Sequence, residues 1–337
     1  MSNEGQTPDL TGDRGLQTVR ESTYKYALAG CALLSVLTTV GIIAVLFVDA
    51  AEFFSVVPIT EFFTSTRFSP NLEPVSFGIF PLILGTLLIT FGAALVALPV
   101  GLLTAIYLSE YASARTRSVL KPMLEVLAGV PTVVYGYFAL VYITPALNVV
   151  IGGLNGALGT QFPTLGLFNG LSASIVVGIM IIPMVSSISE DAMSSVPDSL
   201  RQAGYGLGAT KFNVSLRIVV PAAVSGIASS FILAISRAIG ETMAVVLAAG
   251  AQPPDVPPTQ TALGVVPYVA PGDLLALYSE SAATMTVAMI NIAVSDLSGG
   301  STAYQSLFAI GLTLFVITLG MNVVSDAIAS RYREEYE

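Results

Sequence analysis

The sequence predicts an all-α polytopic membrane protein with six transmembrane helices and both termini in the cytoplasm, and three observations carry that prediction. Hydrophobic residues make up 54% of the 337 and charged residues only 10%, a balance that excludes an ordinary soluble globular domain. Six apolar runs are each long enough to cross a hydrocarbon core of about 30 Å as a helix. Of the thirteen Lys and Arg residues, all but Arg67 and Arg237 fall in the N-terminal segment, the second and fourth loops between spans, and the C-terminus. The positive-inside rule places those segments in the cytoplasm.

In chain order, residues 1–24 are polar, and Met1 onward shows neither the apolar core nor the small-residue cleavage site of a signal peptide. They are expected to form a cytoplasmic tail, followed by a membrane domain over 25–330 and a short cytoplasmic tail over 331–337. The first span covers about 26–48, behind Arg20 and Lys25. A polar loop with Asp49, Glu52, Glu61 and Glu73 leads to the second span, about 77–108, where Pro99 and Gly101 are the kind of kink a buried membrane helix tolerates. The third span, about 127–149, has Pro131 near its start, and the uncharged, Gly-rich 150–171 reads as a short outer loop before a fourth span at about 172–188. The fifth span is about 222–250 and the sixth about 307–327. Between these two lies a large outer loop, 251–302, with Pro253, Pro254, Pro257 and Pro258 near its start and Asp255, Asp273, Glu280 and Asp296 without a base. Within it, 282–294 is apolar but too short to span, so an interfacial or re-entrant piece is expected.

Several chemistries are excluded by residue usage. The chain has no histidine, which removes the usual zinc ligands, proton shuttles and Ser/His/Asp machinery. Its one cysteine, Cys31, lies in an apolar run, so neither a disulfide framework nor a cysteine metal site is expected, and no cofactor is implied. A net charge of −9, with Lys25, Lys121 and Lys211 the only lysines, argues against a nucleic-acid partner and is the balance a high-salt habitat would favour.

The fifth span contains RAIGETMAVV, residues 237–246, which sets Arg237 and Glu241 in an apolar run. A cation near the midpoint of a span costs about 2.5 to 3.5 kcal/mol on insertion scales, and such residues usually face a bundle interior or a water-filled path. In a continuous helix Glu241 sits one turn beyond Arg237 on the same face. Ser236, Gly240, Ala244 and Ala248 form a small-residue stripe of the kind that lets helices approach closely, and the charged pair lies at its edge. Two readings stand: an anion path in which the guanidinium matches oxyanion oxygens and Glu241 holds it in place, or a structural ion pair between spans. Ser236 and Thr242 could add hydroxyls to the path, although hydroxyls in spans more often bond their own helix.

The segment 190–221, between spans four and five, has a pattern of its own. Pro197 suits the start of a short helix whose Leu200, Ala203 and Leu207 share one face, and Gly206 and Gly208 end it. Thr210 suits the cap of a second helix through Phe212, Leu216 and Val219 to Pro221. Two short helices joined by glycine make a knob that can dock in a partner's groove. Within the knob, GYGLGATK over 204–211 misses the GxxxxGK[ST] spacing of a P-loop, so ATP hydrolysis is expected to reside in a partner.

The spacing Gln202-Ala203-Gly204, three residues, Gly208, nine residues, Ile218-Val219-Val220-Pro221 resembles the EAA loop of ABC importer permeases, with Gln in place of the leading Glu, Gly204 for the second Ala and Val220 for Leu. With AIYLSEYA at 105–112, VPTVVYG at 130–136 and SRAIGETMAV at 236–245, the chain resembles the phosphate importer permease family, its PstC branch more than PstA. That resemblance implies a type I ABC importer permease fold forming half of a path for inorganic phosphate. It also implies a PstA-like sister subunit, two copies of a PstB-like ATPase docked on the EAA loops, and a PstS-like extracytoplasmic binding protein. The candidate site residues are Arg237, Glu241, Ser236 and Thr242 for the path, read from the span itself, and Gln202, Ala203, Gly204, Gly208, Ile218 and Pro221 for ATPase coupling, matched to the EAA pattern. Alternatives are a permease for sulfate, molybdate or phosphonate, or an ion-coupled secondary carrier. The carrier would call for inverted repeats and leaves the EAA spacing unexplained.

Overall fold

The computed structural model describes residues 14–256, 261–262, 266–267, 269–270 and 273–331. Residues 1–13, Pro257, Pro258 and Arg333 of the sequence reading lie outside the described residues. The chain divides into two compact units, 1–49 and 50–337. The first is the body of one apolar helix, α1 (Arg14–Val56). No proline stands between Arg14 and Pro58 to stop it, so the helix starts well ahead of residue 26, within the stretch assigned to the tail.

In the second unit, α2 (Ile59–Thr64) and the short antiparallel pair β1 (Phe68–Ser69) and β2 (Ser76–Phe77) precede α3 (Phe80–Ile106). A π-helical turn, Tyr107–Tyr111, extends α3 and leads to α4 (Ala114–Ala128), which begins where the Ser113 hydroxyl accepts the Thr116 N–H at 3.2 Å. α4 ends at Ala128 with Gly129 as its cap, and α5 (Thr132–Phe138) starts after Pro131, which disfavours helical geometry in the residue before it. Through a second π turn, Ala139–Ile143, α5 becomes α6 (Thr144–Leu158), which stops at Gly159 with φ 64°. The third span therefore runs over 132–158 rather than 127–149 and takes in the first part of the supposed outer loop. Gly152, Gly153 and Gly156 do not break it.

Asn169 caps α7 (Gly170–Ser194) by accepting the Ser172 N–H at 2.7 Å. After Pro197 come α8 (Asp198–Gly206), α9 (Lys211–Val214), a third π turn (Ser215–Val219) and α10 (Val220–Ala222). The fifth span is broken twice: α11 (Val224–Ile239) leaves the preceding helix Lys211–Ala222 at a bend of 71°, and α12 (Met243–Ala248) starts only after a gap at 240–242. The strand pair β3 (Thr261–Ala262) and β4 (Val266–Pro267) and α13 (Leu274–Ser279) follow. Then come α14 (Met285–Ala293) and α15 (Thr302–Arg331). Among the described residues five helices are long and apolar enough to cross a membrane, and six if the bent pair counts as one span. The apolar piece expected at 282–294 is α14, and its Met285, Val287, Ala288 and Ile292 are buried, so it packs inside the bundle rather than lying at an interface.

The main core is built by α3 and α7 with α11, α12 and α14 around them. Glycine permits the α3–α7 approach: a Cβ on Gly92 would stand 2.6 Å from the Ser174 Cβ, and one on Gly178 would stand 2.9 Å from the Ala93 carbonyl oxygen. Such contacts replace hydrophobic attraction as the cement between helices in lipid. A second cluster, Ala105, Met193, Val196, Val214, Val219, Ala223 and Ile227, joins segment 190–221 to the ends of α3 and α7. Gly178→Leu should force this pair apart at a cost of about 1 to 3 kcal/mol or more. The readout is the fraction of monodisperse protein surviving a heating series in detergent, and an unchanged midpoint would show that the close approach is not required.

Candidate functional site

The break in the fifth span decides where the sequence-singled residues go. Because α11 ends at Ile239, Glu241 does not sit one turn beyond Arg237 on a shared face, and the stripe Ser236, Gly240, Ala244, Ala248 is not one continuous ridge. Arg237 is exposed on the last turn of α11 and makes no ion pair among the described residues. Glu241 turns the other way. It is 8% exposed, and its Oε1 accepts the Ala244 N–H in the first turn of α12 at 3.1 Å. The expected Arg237–Glu241 pair is thus replaced by a capping carboxylate, because three freed backbone residues at 240–242 open the first turn of a new helix that needs an acceptor.

The remaining groups at the break are bonded locally. Thr286 Oγ1 on α14 donates to the Glu241 carbonyl at 3.0 Å, and Thr242 Oγ1 donates to the Gly240 carbonyl at 3.2 Å. Ser236 Oγ donates to Asn322 Oδ1 on α15 at 3.4 Å, which is a long bond. At the other end of α12, the Asn169 N–H donates to the Ala248 carbonyl at 3.0 Å, and Ser281 Oγ and the Ala282 N–H donate to that of Ala249 at 2.7 and 3.1 Å. The short helix is therefore fixed at both ends, with Arg237 presented beside it.

Other concave places suit an anion poorly. An apolar groove of about 510 Å³, lined by Leu84, Phe91, Ile235, Ile239, Tyr278 and Met321 among others, contains no charged side chain. A depression of about 620 Å³ carries Asp255 and Glu280, so it repels anions. Among the described residues no group of three or more His, Cys, Asp or Glu side chains is placed to hold a metal.

Segment 190–221 forms two packed helices. Gly204 is the buried contact, where a Cβ would lie 2.7 Å from Ile218 Cδ1 and 3.0 Å from Val214 Cγ2. Gly208 turns the chain with φ 79°, and Thr210 Oγ1 accepts the Asn213 N–H at 3.4 Å. The expected single apolar face is divided: Leu200 packs inward, whereas Ala203 and Leu207 point out, Leu207 being 90% exposed. Gln202 and Pro221 are exposed too, and Pro221 lies within α10.

Sequence reasoning missed the buried acids that hold this end of the bundle together. Glu190, on α7, is 3% exposed and meets Arg117 at 3.1 Å and Lys121 at 2.7 Å, both from α4. The hydrogen bond that the Lys121 ammonium donates to Glu190, with help from a second to Asp191, holds it above the ordinary lysine pKa against the opposing effect of burial. Glu110, in the π turn after α3, meets Arg201 of α8 at 3.1 Å, with side chains 4% and 15% exposed. Arg201 Nη2 also donates to the Met193 carbonyl at 2.8 Å, and its Nη1 donates to that of Val196. Removing one partner of so buried a pair strands a charge at a cost of about 3 to 5 kcal/mol. The signal was present as acids within AIYLSEYA and at the close of an apolar run, but pairing them with bases far along the chain needs the fold.

The architecture has a known counterpart. A family model described as the binding-protein-dependent transport system inner membrane component matches residues 97–334. This chain belongs to that family. The permease has curated relatives along most of its length. One, 30% identical over 325 residues that cover 96% of this chain and 95% of the relative, is the probable ABC transporter permease protein YqgH of Bacillus subtilis. The phosphate transport system permease protein PstC of Haemophilus influenzae is 30% identical over 329 residues, covering 94% and 96%. That of Xylella fastidiosa strain Temecula1 is 32% identical over 282 residues, covering 80% and 79%. The resemblance read from the motifs is thereby borne out. Among solved structures, a bacterial alginate ABC transporter bound to its periplasmic protein aligns with a TM-score of 0.59 at 14% identity over 93% of this chain and 96% of the matched one. The permease thus has the type I ABC importer fold and acts as a transport subunit, which sets aside the secondary carrier.

Glu241→Ala should remove the α12 cap and cost about 0.5 to 2 kcal/mol, whereas Glu241→Gln, which keeps an acceptor oxygen, should lose less. Heating midpoints of the two variants in detergent check this order. Equal loss in both would show that the charge, not the cap, is what matters.

Proposed function

We propose that this permease is the PstC-type subunit of an ATP-driven importer for inorganic phosphate in the cell membrane, with both termini cytoplasmic. It pairs with a PstA-like sister subunit, two copies of a PstB-like ATPase and a PstS-like binding protein outside. The observation that carries the reading is Arg237: a guanidinium exposed at a break in an apolar span, unpaired with any described carboxylate, offers its fork of donors to an oxyanion. Its exposure on this chain's surface supports a path completed by a second subunit rather than one enclosed by a single chain. The PstC names of the relatives support phosphate as the anion.

At the opposite face of the reading, the exposed Ala203, Leu207 and Phe212 around Gly208 supply an apolar surface for the ATPase. Hydrolysis of ATP belongs to that partner. Arg237→Gln, tested in proteoliposomes with the binding protein, should abolish phosphate uptake while the complex still assembles; undiminished phosphate uptake would falsify the anion role. In the wild type, competition by excess sulfate, molybdate or phosphonate as strong as that by phosphate would move the assignment to another oxyanion.

A further inference from the structure

A docked ATPase must move the region around Arg237, and the direct route along the chain is poor. The coupling segment and α11 meet at a 71° bend at Ala223, and span five breaks again at 240–242. A push delivered through two such joints is absorbed by backbone rotation at them. α3 offers a route without such a joint, since it runs on as one helix through Pro99. Its 27 residues make a rod of about 40 Å, packed along its length against α7.

Both ends of that rod are tied by named bonds. At one end, Arg201 of α8 donates to Glu110 Oε1 through Nη2 at 3.1 Å and Nε at 3.3 Å. From α9, the Lys211 ammonium lies 5.0 Å from the centre of the Tyr111 ring. Both helices of the loop thus grip the π turn that closes α3, a local distortion that aims Glu110 at them. Toward the other end, the Met285 N–H donates to Thr86 Oγ1 on α3 at 3.0 Å, which seats the start of α14. The next residue, Thr286, donates to the Glu241 carbonyl at 3.0 Å and shares a hydroxyl contact with Thr284 at 2.9 Å.

We propose that motion of the coupling loop reaches the break beside Arg237 through α3 and α14, with Glu110 and Thr286 as the positioning residues at the two ends of the route. Neither touches the anion. The proposal rests on the reading of 190–221 as the ATPase-docking loop. Because the two links act in series, breaking either disconnects the drive, and breaking both adds nothing further.

The test uses the complete complex in proteoliposomes with phosphate-loaded binding protein and ATP, comparing wild type, Glu110→Gln, Thr286→Val and the double variant. Glu110→Gln removes the charge but keeps an acceptor oxygen, and Arg201 retains the Met193 and Val196 carbonyls and the Asp198 carboxylate, so its guanidinium is not left stranded and the loop keeps its shape. Three quantities are read: ATPase subunit retained on purification, ATP hydrolysed, and phosphate imported per ATP. The expected result is retained ATPase and continuing hydrolysis, with phosphate per ATP down about tenfold in each single variant and no lower in the double. A merely structural role would lower the amount of complex and leave phosphate per ATP unchanged. Wild-type yield per ATP in either single variant, multiplied losses in the double, or release of the ATPase by Glu110→Gln would each overturn the route. Full retention of the ATPase by a complex carrying Leu207→Ala and Phe212→Ala would overturn the docking reading itself.

Discussion

Span five is interrupted at 240–242, and an interruption inside a hydrocarbon layer stands only if every freed backbone group finds a partner. The partners here are specific. The Glu241 carboxylate closes the Ala244 N–H, Thr286 closes the Glu241 carbonyl, and Thr242 closes that of Gly240. The second of these bonds ties the nine-residue apolar helix α14, itself buried in the bundle, to the break. The first explains why a carboxylate is tolerated at that depth without a base: a charged acceptor at a helix N-terminus is stabilised both by the N–H and by the helix dipole. Arg237 is thereby released from structural duty and left facing outward.

The end of the bundle that carries segment 190–221 is organised by the opposite device. There two buried acids, Glu190 and Glu110, are each met by bases from another element. Ion pairs of this kind are weak sources of net stability compared with apolar packing, yet they are intolerant of losing one partner. They therefore suit a place where elements from distant parts of the chain must keep register. α4 is held to α7 and α8 to α3, so the loop bears on the two helices that form the rigid centre of the fold. One end of the molecule is fixed by charge and the other by backbone hydrogen bonding, with glycine-mediated contact between α3 and α7 connecting them.

The six apolar runs, the EAA spacing and the family were legible because they are carried by local pattern. A span is a length of apolar residues. A glycine turn such as that at Gly208 is set by a residue that accepts φ 79°. Helix ends were less legible. The third span moved because a new helix starts after Pro131, while glycines at 152, 153 and 156 sit harmlessly within α6. Periodicity also misjudged segment 190–221, placing Leu200 with Leu207 although the first packs inward and the second points out.

The sequence by itself determined that this is a multi-spanning permease with a charged span and a segment of two short helices at 190–221, because hydrophobicity, proline and glycine act on their immediate neighbours. Only the tertiary structure decided what Arg237 and Glu241 do. A continuous helix would have set them side by side, and although Gly240 and Thr242 weaken a helix locally, glycine is tolerated inside other helices of this chain, so composition alone did not place the break. Part of what satisfies the break is local, in Glu241 and Thr242, but the Glu241 carbonyl is met by Thr286, 45 residues further on, and no local rule can see a partner so far along the chain.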